Sequence, residues 1–244
     1  MRKRTEHPQV VIFDLDDTLY KEIDFVNSAY RHIDRLLVAE YDIKPGSAFR
    51  VLSRSQKSGA NPMDDLNKHL DSKGIHIPDA IRWMVDEYRY HVPMLKLDDG
   101  TRLALAMMNE VDIPMYIITD GRSITQRNKI RALGLNEFIP WENVFISEEQ
   151  GKDKVSPHSF RKIRERYRSK PDENEYVFVG DNPAKDFIVA NQFGCTSIQV
   201  ADDGRNIHHM NPIDVDKSWR PKLTINHILE LNDYIHFSMD LPRL

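Results

Sequence analysis

Short runs of apolar, β-prone residues recur along the chain at 10–13, 115–119, 144–146, 176–179 and 196–200, each closed by polar or turn residues. They predict five buried strands. Segments of helical length separate most of them, such as 123–133 ahead of Gly134, where glycine suits a C-terminal cap, and 157–167, where Pro157 suits a helix start. Strand alternating with helix predicts an α/β fold with a parallel, doubly wound sheet, because parallel strands need crossovers whose helices cover both faces. In such folds function sits at the carboxyl ends of the strands.

The interval between the first two strands breaks this rhythm. It runs about 100 residues, from Leu19 to Pro114, where one crossover needs a few dozen. Within it, 25–41, 47–58, 64–73 and 79–90 carry the spacing of amphipathic helices, with Pro45-Gly46 and Asn61-Pro62 as breaks. The pattern predicts an inserted helical bundle of roughly 75 residues that covers the sheet's C-terminal edge like a lid. A final packing helix is expected over 223–237.

At 244 residues the chain suffices for one core or for a core plus a small inserted domain. Its 40% hydrophobic and 30% charged residues, with 10 Gly and 13 Pro, exclude a disordered, collagen-like or disulfide-built protein. A net charge of −4 offers no broad basic field for a nucleic acid polymer, so any phosphate site must be local. Cys195 is the sole cysteine, which rules out an intrachain disulfide and fits a reducing cytoplasm. Set between Gly194 and Thr196, it reads as a small buried hydrophobe rather than a nucleophile. The basic start is followed by only four apolar residues before an Asp, far short of a signal-peptide core. No stretch approaches the roughly 18 apolar residues of a membrane helix. A cytoplasmic protein without a membrane partner is the expectation.

Four clusters of chemistry each follow a predicted strand. Asp14 and Asp16 lie at alternate positions after the first, so both carboxylates face one side of an extended stretch. Two like charges there call for a shared proton or a hard cation such as Mg²⁺, although an Asp-rich turn capping a helix gives the same pattern. Thr119-Asp120-Gly121-Arg122 runs from a strand into a helix start, where a hydroxyl and free N–H groups hold an anion or serve as a plain N-cap. Lys154 precedes a helix; its ammonium could neutralise a phosphoryl group, or it could be one more surface lysine. Gly180-Asp181-Asn182-Pro183-Ala184-Lys185-Asp186 places acids at both ends of a turn, with Asp181 suited to a metal and Asp181 or Asn182 equally suited to capping.

In that order and each after a strand, Asp14-x-Asp16-x-Thr18, Thr119-Asp120-Gly121, Lys154 and Gly180-Asp181-x4-Asp186 resemble the haloacid dehalogenase superfamily. The flanks resemble its nucleotidase-like phosphatase branch. The resemblance implies a Rossmann-like core of residues 1–20 and 96–244 and an α-helical cap of 21–95. It implies Asp14 as the nucleophile that forms an aspartyl-phosphate and Asp16 as the acid that protonates the leaving group and then activates water. Mg²⁺ would be held by the Asp14 carboxylate, the Asp16 backbone carbonyl and Asp181. Thr119 and the Asp120 N–H, with Gly121 beside them, would bind phosphate, and Lys154 would neutralise both Asp14 and the phosphoryl group. Thr18, Asn182 and Asp186 would support these groups from behind. Val155 and Asp120 depart from the residues relatives often carry, without removing a catalytic atom.

The implied activity is hydrolysis of a small phosphorylated metabolite. Dehalogenase is disfavoured because Asp16 and Asp181 are both present; a phosphomutase or a non-catalytic binding module are the alternatives. His208-His209 reads as a solvated loop rather than a metal pair. Arg50, Arg54, Lys57, Tyr88 and Arg89 could touch a substrate or simply form a charged outer helix face.

Overall fold

The computed structural model describes residues 10–167 and 176–234. Strands β1 (Val10–Phe13), β2 (Met115–Thr119), β3 (Val144–Ile146), β4 (Tyr176–Gly180), β5 (Thr196–Val200) and β6 (Leu223–Ile225) form one sheet in the order β3-β2-β1-β4-β5-β6. Every neighbouring pair is parallel. Val10 to Phe13 are wholly buried, as a central parallel strand covered on both faces requires. The chain builds one side of the sheet through β2 and β3 and then crosses to β4, so the order reverses at β1. Such a reversal opens a crevice at the strands' carboxyl ends.

The chain divides into two compact units. The first takes in residues up to Glu22, 97–126 and from 134 onward, and contains the whole sheet. Its helices are α5 (Asp99–Glu110), the start of α6 (Ser123–Ala132), α7 (Ser147–Gln150), α8 (His158–Glu165), α9 (Phe187–Gln192) and α10 (Leu231–Tyr234). Ile12, Ile118, Phe145 and Phe178 of the sheet pack with Phe160 of α8 and Phe187 of α9. Each such side chain contributes about 1.5–3 kcal/mol on burial. Cys195 lies buried in the same cluster, in keeping with its reading as a small hydrophobe.

The second unit comprises 23–96 and 127–133. It holds most of α1 (Glu22–Glu40), with α2 (Ser47–Lys57), α3 (Pro62–Asp71) and α4 (Ala80–Tyr90). Phe25, Ala29, Ile33 and Leu37 recur every four residues along α1 and form its buried stripe. Phe25 meets Tyr88 edge to face, with ring centroids 5.3 Å apart. Asp34 of α1 accepts the N–H groups of Gly46 (2.8 Å) and Phe49 (3.1 Å), which satisfies the start of α2 from another helix. Asn61 caps α3 by accepting the Met63 N–H at 3.1 Å, and Pro62 opens the helix where its missing N–H costs nothing.

Three elements depart from the sequence reading. The helix expected over 223–237 begins instead as β6, paired with β5, and turns helical only near its described end at Tyr234; residues 235–237 lie outside the described residues. The apolar spacing of that segment suits either state, and the free edge of β5 decides for strand. Helix α5 was not foreseen, although Asp98 caps it by accepting the Thr101 N–H at 2.9 Å. Gly134 adopts φ 67°, as a left-handed helix terminus requires, but α8 stops at Glu165, short of the expected Tyr167. Among the described residues no helix is long and apolar enough to cross a membrane.

Candidate active site

The loop leaving β1 is fixed before its chemistry begins. The Asp14 N–H donates to the Val179 carbonyl at 2.8 Å, which extends the β1–β4 pairing by one step and holds Asp14 at the strand end, 2% exposed. Asp17 takes the left-handed backbone (φ 54°), a conformation Asp tolerates better than most residues. Its carboxylate accepts the Glu22 N–H (2.9 Å) and the Ile207 N–H (2.8 Å), tying the loop to the start of α1 and to the segment after β5. Burial raises the Asp17 carboxyl above its ordinary pKa, those two amides offsetting part of the effect.

Lys154, almost fully buried, places its ammonium between two carboxylates: Nζ lies 2.9 Å from Asp14 Oδ1 and 2.6 Å from Asp186 Oδ1. Its own backbone N–H donates to Asp120 Oδ1 at 3.0 Å. Burial opposes the charge on Lys154, but Asp14 and Asp186 prevail and hold its pKa well above the usual lysine value. The other Asp186 oxygen accepts the N–H groups of Asp181 (3.1 Å) and Asn182 (2.7 Å), so the β4–α9 turn closes on that side chain. Asn182 Oδ1 accepts the Ala184 N–H at 2.9 Å within the turn.

Gly180 is required by this closure. A Cβ there would stand 2.6 Å from Asp186 Oδ2 and 2.7 Å from its Cγ. Gly180→Ala is therefore expected to push Asp186 off both the turn amides and Lys154, at about 1–3 kcal/mol of stability. Thermal unfolding checks this, and an unchanged midpoint would contradict the contact.

Asp16 is held at both ends. Tyr20 donates its hydroxyl to Oδ1, and Gln126 Nε2 donates to Oδ2 at 2.8 Å. The same nitrogen lies 2.7 Å from Thr119 Oγ1 and 3.1 Å from the Asp120 carbonyl. Asp181 accepts from Asn206 Nδ2 at 3.2 Å, and Asn206 in turn accepts from Lys21 at 2.8 Å. Asp14, Asp16, Thr119, Asp120, Lys154, Asp181 and Asn182 all line one cavity of about 150 Å³. Carboxylate oxygens of Asp14, Asp181 and Asp186 lie within 4.8 Å of one another. Burial pushes Asp14 up to about 7 against the pull of Lys154. It pushes Asp181 up to about 9, with Asp186 and Asp14 adding to the effect.

Seven of the ten residues singled out in the sequence thus meet at one cavity, and two more stand against it: Asp186 behind Lys154, and Thr18 with its hydroxyl 3.4 Å from Asp14 Oδ2. Gly121 does not line the cavity. Its N–H donates to Ser147 Oγ at 2.9 Å. The surface reading of Lys154 is wrong, since the side chain is buried. His208 is exposed, as a loop histidine should be, yet it borders the cavity. Sequence reasoning missed Gln126, Tyr20 and Asn206. Gln126 had a findable signal, because a side chain in the first turn of a helix leans back toward the strand before it.

Residues 8–194 match the haloacid dehalogenase-like hydrolases. A glyceraldehyde 3-phosphate phosphatase of Methanocaldococcus jannaschii is 29% identical over 231 residues, covering 92% of this chain and 96% of the relative. A phosphoglycolate phosphatase of Neisseria meningitidis is 25% identical over 239 residues, 95% of each chain. Among solved structures, a HAD hydrolase of Bacillus subtilis bound to magnesium superposes with a TM-score of 0.61 at 20% identity, covering 94% of this chain and 99% of that one, a likeness of fold. With the parallel sheet in place and the match spanning β1 to the end of α9, the chain belongs to the haloacid dehalogenase-like hydrolase family.

Proposed function

We propose that this hydrolase cleaves small phosphomonoesters through a covalent phosphate ester of Asp14. The observation that carries the reading is the buried Lys154 ammonium held between Asp14 and Asp186 on the wall of a polar cavity. An anionic nucleophile meets an anionic phosphoryl group only where positive charge is already positioned, and desolvation strengthens that attraction. Lys154 holds Asp14 Oδ1 at 2.9 Å, and Oδ2, whose contact with the Thr18 hydroxyl is a long 3.4 Å, is the oxygen that attacks phosphorus. The new bond joins Asp14 Oδ2 to phosphorus as the bond from phosphorus to the alcohol oxygen breaks, and Asp16 gives that oxygen its proton. Water then attacks phosphorus, Asp16 takes back a proton, and Asp14 leaves as the carboxylate with inorganic phosphate as product. Thr119 and the Asp120 N–H hold the phosphoryl oxygens.

The donor set fits a hard divalent cation. Three buried carboxylates lie together with one ammonium, which pairs with only two of them, and the upward pKa shifts of Asp14 and Asp181 reflect the cost of their negative charges without further positive charge. Asp14, the Asp16 carbonyl and Asp181 would hold Mg²⁺, which when bound neutralises charge on the phosphoryl group. Thr18, Asn182 and Asp186 serve as supports, and Gly121 belongs to the phosphate-binding turn.

The cavity is small against the roughly 300–1,000 Å³ of sites for larger ligands, which suits a phosphoryl group and little more. Together with the two- and three-carbon esters in the relatives' names, this favours small metabolite phosphates. We assign residues 21–95 as a cap that selects the alcohol, because that stretch carries none of the four motifs. Purified protein with Mg²⁺ should release phosphate from a panel of two- to six-carbon phosphate esters and nucleotides, with highest kcat/KM on the smallest, and EDTA should stop it. No release from any member of the panel would end the reading.

A further inference from the structure

We propose that Gln126 is a positioning residue that sets the hydrogen-bond direction of Thr119 and the orientation of Asp16. It thereby aims a hydroxyl donor and a proton-transferring carboxylate at the same phosphate ester. This rests on the phosphatase reading above and adds a residue to it.

Gln126 is 1% exposed in the first turn of α6, and its side chain returns to the carboxyl end of β2. Its terminal nitrogen lies 2.7 Å from Thr119 Oγ1, 2.8 Å from Asp16 Oδ2 and 3.1 Å from the Asp120 carbonyl. A peptide carbonyl only accepts, so the group facing it is the NH₂ and not the amide oxygen. That identity makes Gln126 the donor in each contact, with its two hydrogens shared among three acceptors and the shortest contact at Thr119 Oγ1. Because Thr119 Oγ1 accepts from Gln126, its own hydrogen is left to donate to another partner, and Thr119 lines the cavity. Deprived of that donor, the hydroxyl would find acceptors in the Asp16 carboxylate and the Asp120 carbonyl, and its hydrogen would be lost to a substrate oxygen. Asp16, gripped by Gln126 at one oxygen and by the Tyr20 hydroxyl at the other, keeps one orientation instead of several.

Helix capping does not explain the residue. The Ser123 N–H at the start of α6 is already satisfied by Glu148 Oε2 at 2.7 Å. The backbone also makes room for this side chain: a Cβ on Gly121 would stand 3.1 Å from Gln126 Cδ and 3.2 Å from Cγ, and Gly121 has φ 142°, where other residues are strained. Gly121 thus acts here through the space it leaves.

The test compares leaving groups. An aryl phosphate departs without help from an acid, whereas an alkyl phosphate needs its oxygen protonated, so in the phosphoryl-transfer step, which kcat/KM reads, loss of Asp16 orientation should weigh more on the second; the later attack of water is common to both. Gln126→Met keeps the side chain's length and removes both N–H donors. Its kcat/KM with Mg²⁺ is expected to fall roughly 10- to 100-fold more on an alkyl phosphate than on p-nitrophenyl phosphate, with KM rising for both as Thr119 turns away. Should that variant fold poorly by thermal unfolding, Gln126→Leu removes the same donors without adding charge beside Asp16, and the same ratio is read on it. Equal losses on both esters would overturn the proposal while leaving the phosphatase reading intact. Failure of the unsubstituted protein to release phosphate from either ester would overturn the phosphatase reading itself.

Discussion

Asp14→Asn is expected to lower kcat for phosphate release by about 10³-fold or more while the protein stays folded. The amide preserves the size of a side chain that is 2% exposed, so the core loses no volume. What disappears is the anionic oxygen to which we assign the attack on phosphorus. The Asp14 Oδ1 contact with Lys154 at 2.9 Å is also weakened from an ion pair to a hydrogen bond from the ammonium to a neutral amide oxygen, so some loss of stability accompanies the loss of activity. Steady-state kinetics on an aryl phosphate at saturating Mg²⁺ give the rate, and thermal unfolding shows whether the fold persists. Acid quenching during turnover of a radiolabelled ester should leave phosphate on the unsubstituted protein and none on the variant. Equal activity in the two proteins would remove Asp14 from the mechanism, and a binding module without turnover would show no activity in either.

Lys154→Met is expected to be the most damaging substitution for stability, at about 3–5 kcal/mol, because it strips the ammonium from two buried carboxylates at once. For a chain of this size that corresponds to roughly 6–20 °C in Tm. Adding Asp186→Asn to Lys154→Met should recover part of the loss, since the Asp186 oxygen 2.6 Å from Nζ then carries no unpaired charge. If the double variant were no more stable than the single one, buried charge would not be the cause. The pH dependence has a definite sign. Burial sets the Asp14 pKa at about 7 and the Asp181 pKa at about 9, both above the ordinary 3.8, so the native state keeps protons that the unfolded chain has released. Their contribution to stability is full below about pH 4 and is lost as pH rises through those values in metal-free buffer. Lys154→Met should steepen that fall and saturating Mg²⁺ should flatten it, both readable as Tm against pH.

Five apolar runs were enough to locate β1 to β5, because a central parallel strand must be hydrophobic on both faces and leaves a continuous signal. Once the strands are placed, topology brings their carboxyl ends together, which is why acids, a threonine and a lysine spread from Asp14 to Asp186 could be assigned to one place. Lys154 shows the force of that inference: alone it looked like any surface lysine, and only its position after a strand singled it out.

What the sequence could not reveal falls into two kinds. Strand β6 has no periodicity of its own that excludes a helix, and its state is decided by the free edge of β5 across more than twenty intervening residues. Tyr20 and Asn206 are uncharged side chains on loop positions with nothing in their residue type to mark them, and Gln126 is marked only by its place in the first turn of α6. Their hydrogen bonds to Asp16 and Asp181 exist only in the folded arrangement.

The amino-acid sequence by itself therefore determined five of the six strands, the helical run between β1 and β2, and the gathering of Asp14, Thr119, Lys154 and Asp181 at the strand ends, because these follow from local pattern and from the order of strands. The tertiary structure alone decided which oxygen of Asp14 faces Lys154, how Asp186 splits its two oxygens between that ammonium and a turn, and which neighbours orient Asp16. Those are choices of hydrogen-bond direction at distances of about 3 Å, and they depend on where side chains from separate elements come to rest.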